Sequence, residues 1–106
     1  LIVKKVLADG LPKGVCLNVN FPKVEKFAGL KVCRMGWGSW TREVEVCKHP
    51  RGFDYYWMTG YYRNDEPDAT DNDQWALAHG YVTVTPSKID VTDYEVLSKM
   101  KSWESL

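Results

Sequence analysis

The chain has 106 residues, 44% of them apolar and 26% charged, a composition that excludes an intrinsically disordered protein and fits one small domain or a piece of a larger one. Its 14 basic side chains cancel its 14 acidic ones, which argues against a surface for DNA or RNA, since counterion release needs a basic excess. A small phosphate ligand needs only one or two local charges. No run of about 18 apolar residues occurs, and neither a membrane span nor a signal peptide is expected.

The first segment, Leu1 to Ala8, places Ile2, Val3, Val6 and Leu7 at helical spacing, and Gly10 stands where a C-cap glycine belongs. Nothing that resembles an N-cap precedes it, so the expectation is a helix whose earlier turns are missing. Residues 15–21 then alternate as a strand, with Leu17, Val19 and Phe21 on one face and Cys16, Asn18 and Asn20 on the other. A second strand is read from Leu30 to Met35, followed by a turn-rich Gly36-Trp-Gly-Ser-Trp40. Residues 42–48 alternate again, His49-Pro-Arg-Gly52 favours a type I turn, and residues 53–62 read as one long aromatic strand. The span from 30 to 62 is therefore a hairpin region.

Residues 63–73 are polar and acidic and read as a loop. A short helix over 72–79 follows, with Thr70 or Asp71 as its cap and Gly80 as its stop. Residues 81–85 form a strand of β-branched residues that Pro86 ends. Thr92-x-x-Glu95 is a capping box that opens a C-terminal helix over 93–103, with Val96, Leu97, Met100 and Trp103 on one stripe.

Four stretches carry a resemblance, in one order and at compatible spacing. Leu17-Asn-Val-Asn-Phe-Pro22 resembles the LNVN-x-P signature of the SurE family. Pro50-Arg-Gly52 with Tyr55-Tyr-Trp57 is similar to its hairpin, and Thr70-Asp71 with Ala76 and Gly80 to Pro86 is similar to its TD…A…GYVSVTP segment. Asp90-Val-Thr-Asp-Tyr94 is similar to its DLTDY. The resemblance implies an α/β fold, namely the C-terminal part of a protein whose N-terminal part is Rossmann-like. The implied activity is that of a cytoplasmic, divalent-metal 5′-nucleotidase that acts on nucleoside monophosphates with Mg²⁺ or Mn²⁺. The family holds its metal on an Asp-Asp pair with a Ser and an Asn. No Asn-Asp-Asp-Gly stretch occurs here, so no catalytic residue or metal ligand is carried over onto this chain. The resemblance also implies a homo-oligomer, dimer or tetramer, with the last helix swapped between subunits.

Each remaining feature has a plain reading beside a functional one. Asn18 and Asn20, on one face of an apolar strand, either tie down adjacent loops or shape the floor of a phosphate site. Thr70 and Asp71 are placed near the substrate mouth because they begin a helix next to a core strand. The rest of the acidic run, Asp65, Glu66, Asp68 and Asp73, lacks the glycine and final Glu of a calcium loop and reads as solvated. His49 and His79 have no third partner at ligand spacing, and Cys16, Cys33 and Cys47, with no Cys-x-x-Cys pair, read as reduced, half-buried thiols. Tyr55, Tyr56, Trp57 and Tyr61, joined by Trp103 on the last helix, are assigned to a subunit interface because exposed apolar patches mark contact surfaces; an aromatic platform for sugars or bases is the other use. The alternative for the whole chain is a stand-alone β-rich binding or oligomerisation module.

Overall fold

The computed structural model describes residues 1–106. Its fold is mixed α/β, mostly strands, with a helix near the C-terminus. Helix α1 (Ile2–Asp9) leads to β1 (Val15–Asn20), and five further strands follow: β2 (Gly29–Val32), β3 (Gly38–Thr41), β4 (Val44–Lys48), β5 (Asp54–Met58) and β6 (Tyr61–Asn64). Then come α2 (Asp73–Ala78), β7 (Tyr81–Lys88), α3 (Tyr94–Met100) and a 3₁₀ turn over Lys101–Ser105. No helix is long and apolar enough to cross a membrane. Two compact units result, Leu1–Asn18 with Pro86–Leu106, and Val19–Thr85.

In the larger unit, β2 and β7 pair in parallel, with Leu30 opposite Val82 and Val32 opposite Val84. Strand β7 lies between β1 and β2 in the sheet. A strand hydrogen-bonded on both sides and covered on both faces wants an uninterrupted β-branched run, and Val82, Thr83, Val84 and Thr85 are all buried. Val82 and Val84 face one side with Ala76 completing the apolar core, and the two threonines face the other. Pro86 does not end the strand, which continues to Lys88; proline is tolerated where its missing N–H is not needed by the ladder.

Two antiparallel ribbons make up the rest of this unit. Strands β4 and β5 pair from Val44 opposite Met58 to Lys48 opposite Asp54. Their turn is closed by the Gly52 amide donating to the His49 carbonyl at 2.9 Å, with Gly52 at φ 90°, a conformation that favours glycine. Strands β3 and β6 pair with Trp40 opposite Tyr62, and those rings meet edge to face at 5.9 Å.

Several sequence-based expectations need correcting. The aromatic run 53–62 is two strands in different sheets, because Gly60 adopts φ 145° and breaks it. Opposite it, Arg42 adopts φ 52°, and its carbonyl accepts from the Thr59 hydroxyl at 2.7 Å. Of Gly36 to Trp40, expected as turn, residues 38–40 lie in β3: Gly38 leaves room for the Tyr62 hydroxyl, and an added Cβ would also sit 2.5 Å from the Arg63 carbonyl. The cap of α2 is Asn72, whose side chain accepts from the Trp75 amide, and not Thr70 or Asp71. The cap of α3 is Asp93, accepting from the Val96 amide at 3.0 Å, because Thr92 is drawn into a turn that donates its amide to Asp90. The helix expected over 93–103 is α-helical only to Met100 and tightens to 3₁₀ thereafter. Cys16 is exposed, whereas Cys33 and Cys47 are half-buried, and all three are free thiols.

Gly38→Ala forces a methyl into the Tyr62 hydroxyl and the facing backbone. The expected outcome is a loss of about 1–3 kcal/mol with the far-ultraviolet spectrum retained, measured by urea unfolding.

Candidate functional site

The densest polar constellation lies at the end of β2, where the chain leaves the parallel pair. The Cys33 amide still donates to the Val84 carbonyl, so the ladder carries one residue beyond the strand and delivers Arg34 to the carboxyl-end edge of the sheet. There the loop before α2 returns. Arg34 forms a parallel bridge with Asn72, and the Asp73 amide donates to the Arg34 carbonyl at 3.0 Å.

The Arg34 guanidinium binds two carboxylates at once. Nε and Nη2 each donate to Asp71 at 2.8 Å. Nη1 and Nη2 donate to the two oxygens of Glu66, at 3.0 and 2.9 Å. Glu66 also accepts from the Trp37 amide at 2.8 Å and from the Asn72 side-chain amide at 3.4 Å. The Gly36 amide donates to buried Asp73 at 2.8 Å. A planar fork with fixed donors is the group suited to such paired recognition. The electrostatic result is mutual: Glu66 and Asp71 are held below the ordinary carboxylate range, in each case first by hydrogen bonding to Arg34. Arg34 in turn is raised by Asp71 and then Glu66. Nearby, Tyr62 is pushed up by burial first and then by Asp73, Asp65 and Glu66, and its hydroxyl is buried with no hydrogen-bond partner in the chain.

Of the residues expected near a substrate, Asp71 is therefore committed to Arg34, while Thr70 is exposed on the loop beside it. Asn18 and Asn20 lie on β1, outside this group, Asn18 exposed and Asn20 half-buried. Sequence reasoning missed Arg34, Glu66, Asn72 and Asp73 as one group. The only signal was an arginine near the end of a strand in a chain whose acidic run lies about thirty positions on. These residues do not fit a divalent cation. No group of three or more His, Cys, Asp or Glu side chains is placed to hold one, and the clustered carboxylates already share a fixed positive charge.

The residues expected at an interface are solvent-exposed within this chain, Tyr56 at 65%, Trp57 at 60%, Tyr61 at 70% and Trp103 at 60%, with Tyr55 at 39%. A recess of about 440 Å³ at the hairpin base is lined by Arg42, Val44, Glu45, Thr59 and Tyr61. His49 stacks on Phe53 at 4.3 Å. His79 stacks on Trp75 at 3.9 Å, and its Nδ1 lies 2.7 Å from the Trp75 carbonyl, which can only accept and so fixes the proton on that nitrogen.

No family-level sequence profile matches the chain. Individual relatives do. It is 50% identical over 102 residues to the 5′-nucleotidase SurE of Phocaeicola vulgatus, an alignment that covers 96% of this chain and 40% of that protein. It is 42% identical over 103 residues to the 5′-nucleotidase SurE of Bacteroides fragilis, covering 97% of this chain and 40% of the relative. The crystal structure of the SurE protein from Aquifex aeolicus superposes with a TM-score of 0.68 at 37% identity, over 97% of this chain and 42% of that one. Fold and relatives together define a mixed α/β segment of a larger architecture. The chain belongs to the SurE family and corresponds to a C-terminal portion of its members. It spans about two fifths of the length of the curated relatives it matches.

Carboxylates with depressed folded values stabilise the fold above their unfolded pKa of about 4 and lose that contribution as pH falls through the folded value. Glu66 and Asp71 both have this sign, as does Asp90, lowered to about 2 by Tyr94 and the Thr92 amide. The thermal midpoint of the protein is expected to stay flat from neutral pH to about 5 and to fall below about 4. In Arg34→Ala the fall is expected to be shallower, with the Asp90 share remaining; circular dichroism melts across pH check it.

Proposed function

We propose that the chain is part of a metal-dependent 5′-nucleotidase that hydrolyses nucleoside monophosphates to nucleoside and phosphate in the cytoplasm. The single observation that carries this reading is the 50% identity to a protein named 5′-nucleotidase SurE over 96% of the chain. Its physical support is the placement of the Arg34 group. In open α/β sheets, ligands bind in the crevice outside the carboxyl ends of the strands, and the loop bearing Thr70 is fastened at that edge of the β2–β7 pair. This segment contributes scaffold strands and one wall of the pocket, with Thr70 and Asp71 towards the substrate. Mg²⁺ or Mn²⁺ supplies phosphoryl polarisation and an activated water when bound. Its ligands belong to the part of the relatives that this chain does not match.

Oligomer contact is the second proposed role. The chain exposes 9279 Å², against about 6,000 Å² for a folded monomer of this mass. The excess is rich in aromatic side chains at Tyr55, Tyr56, Trp57, Tyr61 and Trp103. Burying such surface is worth roughly 25 cal/mol per Å², so association with more chain, including a second copy, is the favoured state of these residues.

Two outcomes are expected. The intact protein hydrolyses a nucleoside 5′-monophosphate with Mn²⁺ and loses activity with a chelator, whereas the 106 residues alone show no turnover in a phosphate-release assay; turnover by these residues alone would overturn the assignment of the metal site. In the intact protein, Tyr56→Glu with Trp57→Glu lowers the mass measured by light scattering, and an unchanged mass would remove the hairpin from the interface.

A further inference from the structure

We propose that Arg34 is a positioning residue for the reaction, setting the loop from Glu66 to Asp71 against the substrate; this rests on the nucleotidase reading and deepens it. The two carboxylates bound by one guanidinium are the first and last residues of a six-residue stretch. Between them lie Pro67, Asp68, Ala69 and Thr70. Pinning both ends of so short a stretch to one rigid group restricts what lies between, and the Ala69 amide adds a turn by donating to the Glu66 carbonyl at 3.1 Å. Thr70, adjacent to the Asp71 anchor, carries an exposed side chain.

The anchor point is itself fixed. Arg34 is held by its backbone to Asp73 and by the ladder through Cys33 to β7, so the fork transmits the position of the sheet edge to the loop. Without the guanidinium, two carboxylates that now share it face each other, and like charges at that separation repel. Lysine keeps the charge but has no planar fork, and three rotatable donors on a flexible stem cannot reproduce two bidentate pairs. The geometry thus distinguishes positioning from charge balance.

The test uses the intact enzyme and three variants: Arg34→Lys, Asp71→Asn, and the two combined. Steady-state kinetics on a nucleoside 5′-monophosphate are measured beside the thermal midpoint. A small misplacement of a substrate-facing group costs about ten- to a hundredfold. Arg34→Lys is therefore expected to lose about that much in kcat/KM, chiefly through KM, at a temperature where melts show it folded. Asp71→Asn is expected to lose less, and the double variant no more than Arg34→Lys alone, since both break the same clamp. Variants with wild-type kcat/KM would overturn the proposal. So would activity losses that follow the unfolded fraction, or that multiply in the double variant. A wild-type protein inert on every nucleoside monophosphate would instead bring down the nucleotidase reading, and the role of Arg34 with it.

Discussion

The larger unit depends on one guanidinium. Between β2 and β7 the chain makes a long excursion through both antiparallel ribbons before it returns to pair in parallel with the strand it left. Parallel neighbours cannot be joined by a tight turn, and every residue ordered on the way costs conformational entropy. Arg34 and its backbone close that excursion: Asp73 returns to the Arg34 carbonyl, and Glu66 and Asp71 return to its side chain. An isolated surface ion pair would contribute little. This one differs because it is bidentate on both sides and is backed by amide donors from Trp37 and Asn72.

The same closure explains why the core is so small and so polar. The buried apolar residues are Ala76, Val82, Val84 and Pro22, beside buried Asn72, Asp73, Thr83 and Thr85. Asn72 and Asp73 are satisfied, one capping α2 through the Trp75 amide and the other accepting from Gly36. Buried polar groups placed this way specify one arrangement of the loop, because an alternative would leave them unpaired at a cost of several kcal/mol.

Much of the fold was legible because it obeys local rules. The alternation in β1, the β-branched run in β7, the Gly10 stop of α1 and the His49–Gly52 turn each follow from residues a few positions apart. The errors arose where distant residues decide. Gly38–Thr41 has turn composition, yet it becomes a strand because β6 supplies a partner with Tyr62 beside Gly38. The aromatic run breaks because Gly60 leaves the extended region, which no periodicity announces. Asn72 displaces its neighbours as cap because Asp71 is claimed by Arg34, 37 residues earlier. The site was the least legible part for that reason: carboxylates that read as a solvated run are organised by a single arginine that local spacing gives no reason to single out.

Surface chemistry then constrains what the chain can be. Hydrogen bonds within α3 and its 3₁₀ extension are satisfied locally, yet Val96, Leu97, Met100 and Trp103 all remain open to solvent. In the larger unit, β5 presents Tyr56, Trp57 and Met58 in succession, so both faces of that ribbon carry large exposed apolar side chains beside Glu45, Lys48 and Asp54. A strand that faces water on one side alternates apolar with polar residues; one that does not is built to be covered. The apolar ribbon and the apolar helix stripe are each costly for an independent module and each expected in a segment packed against further polypeptide. That is the physical reason to prefer a segment covered by further polypeptide over a self-sufficient binding domain.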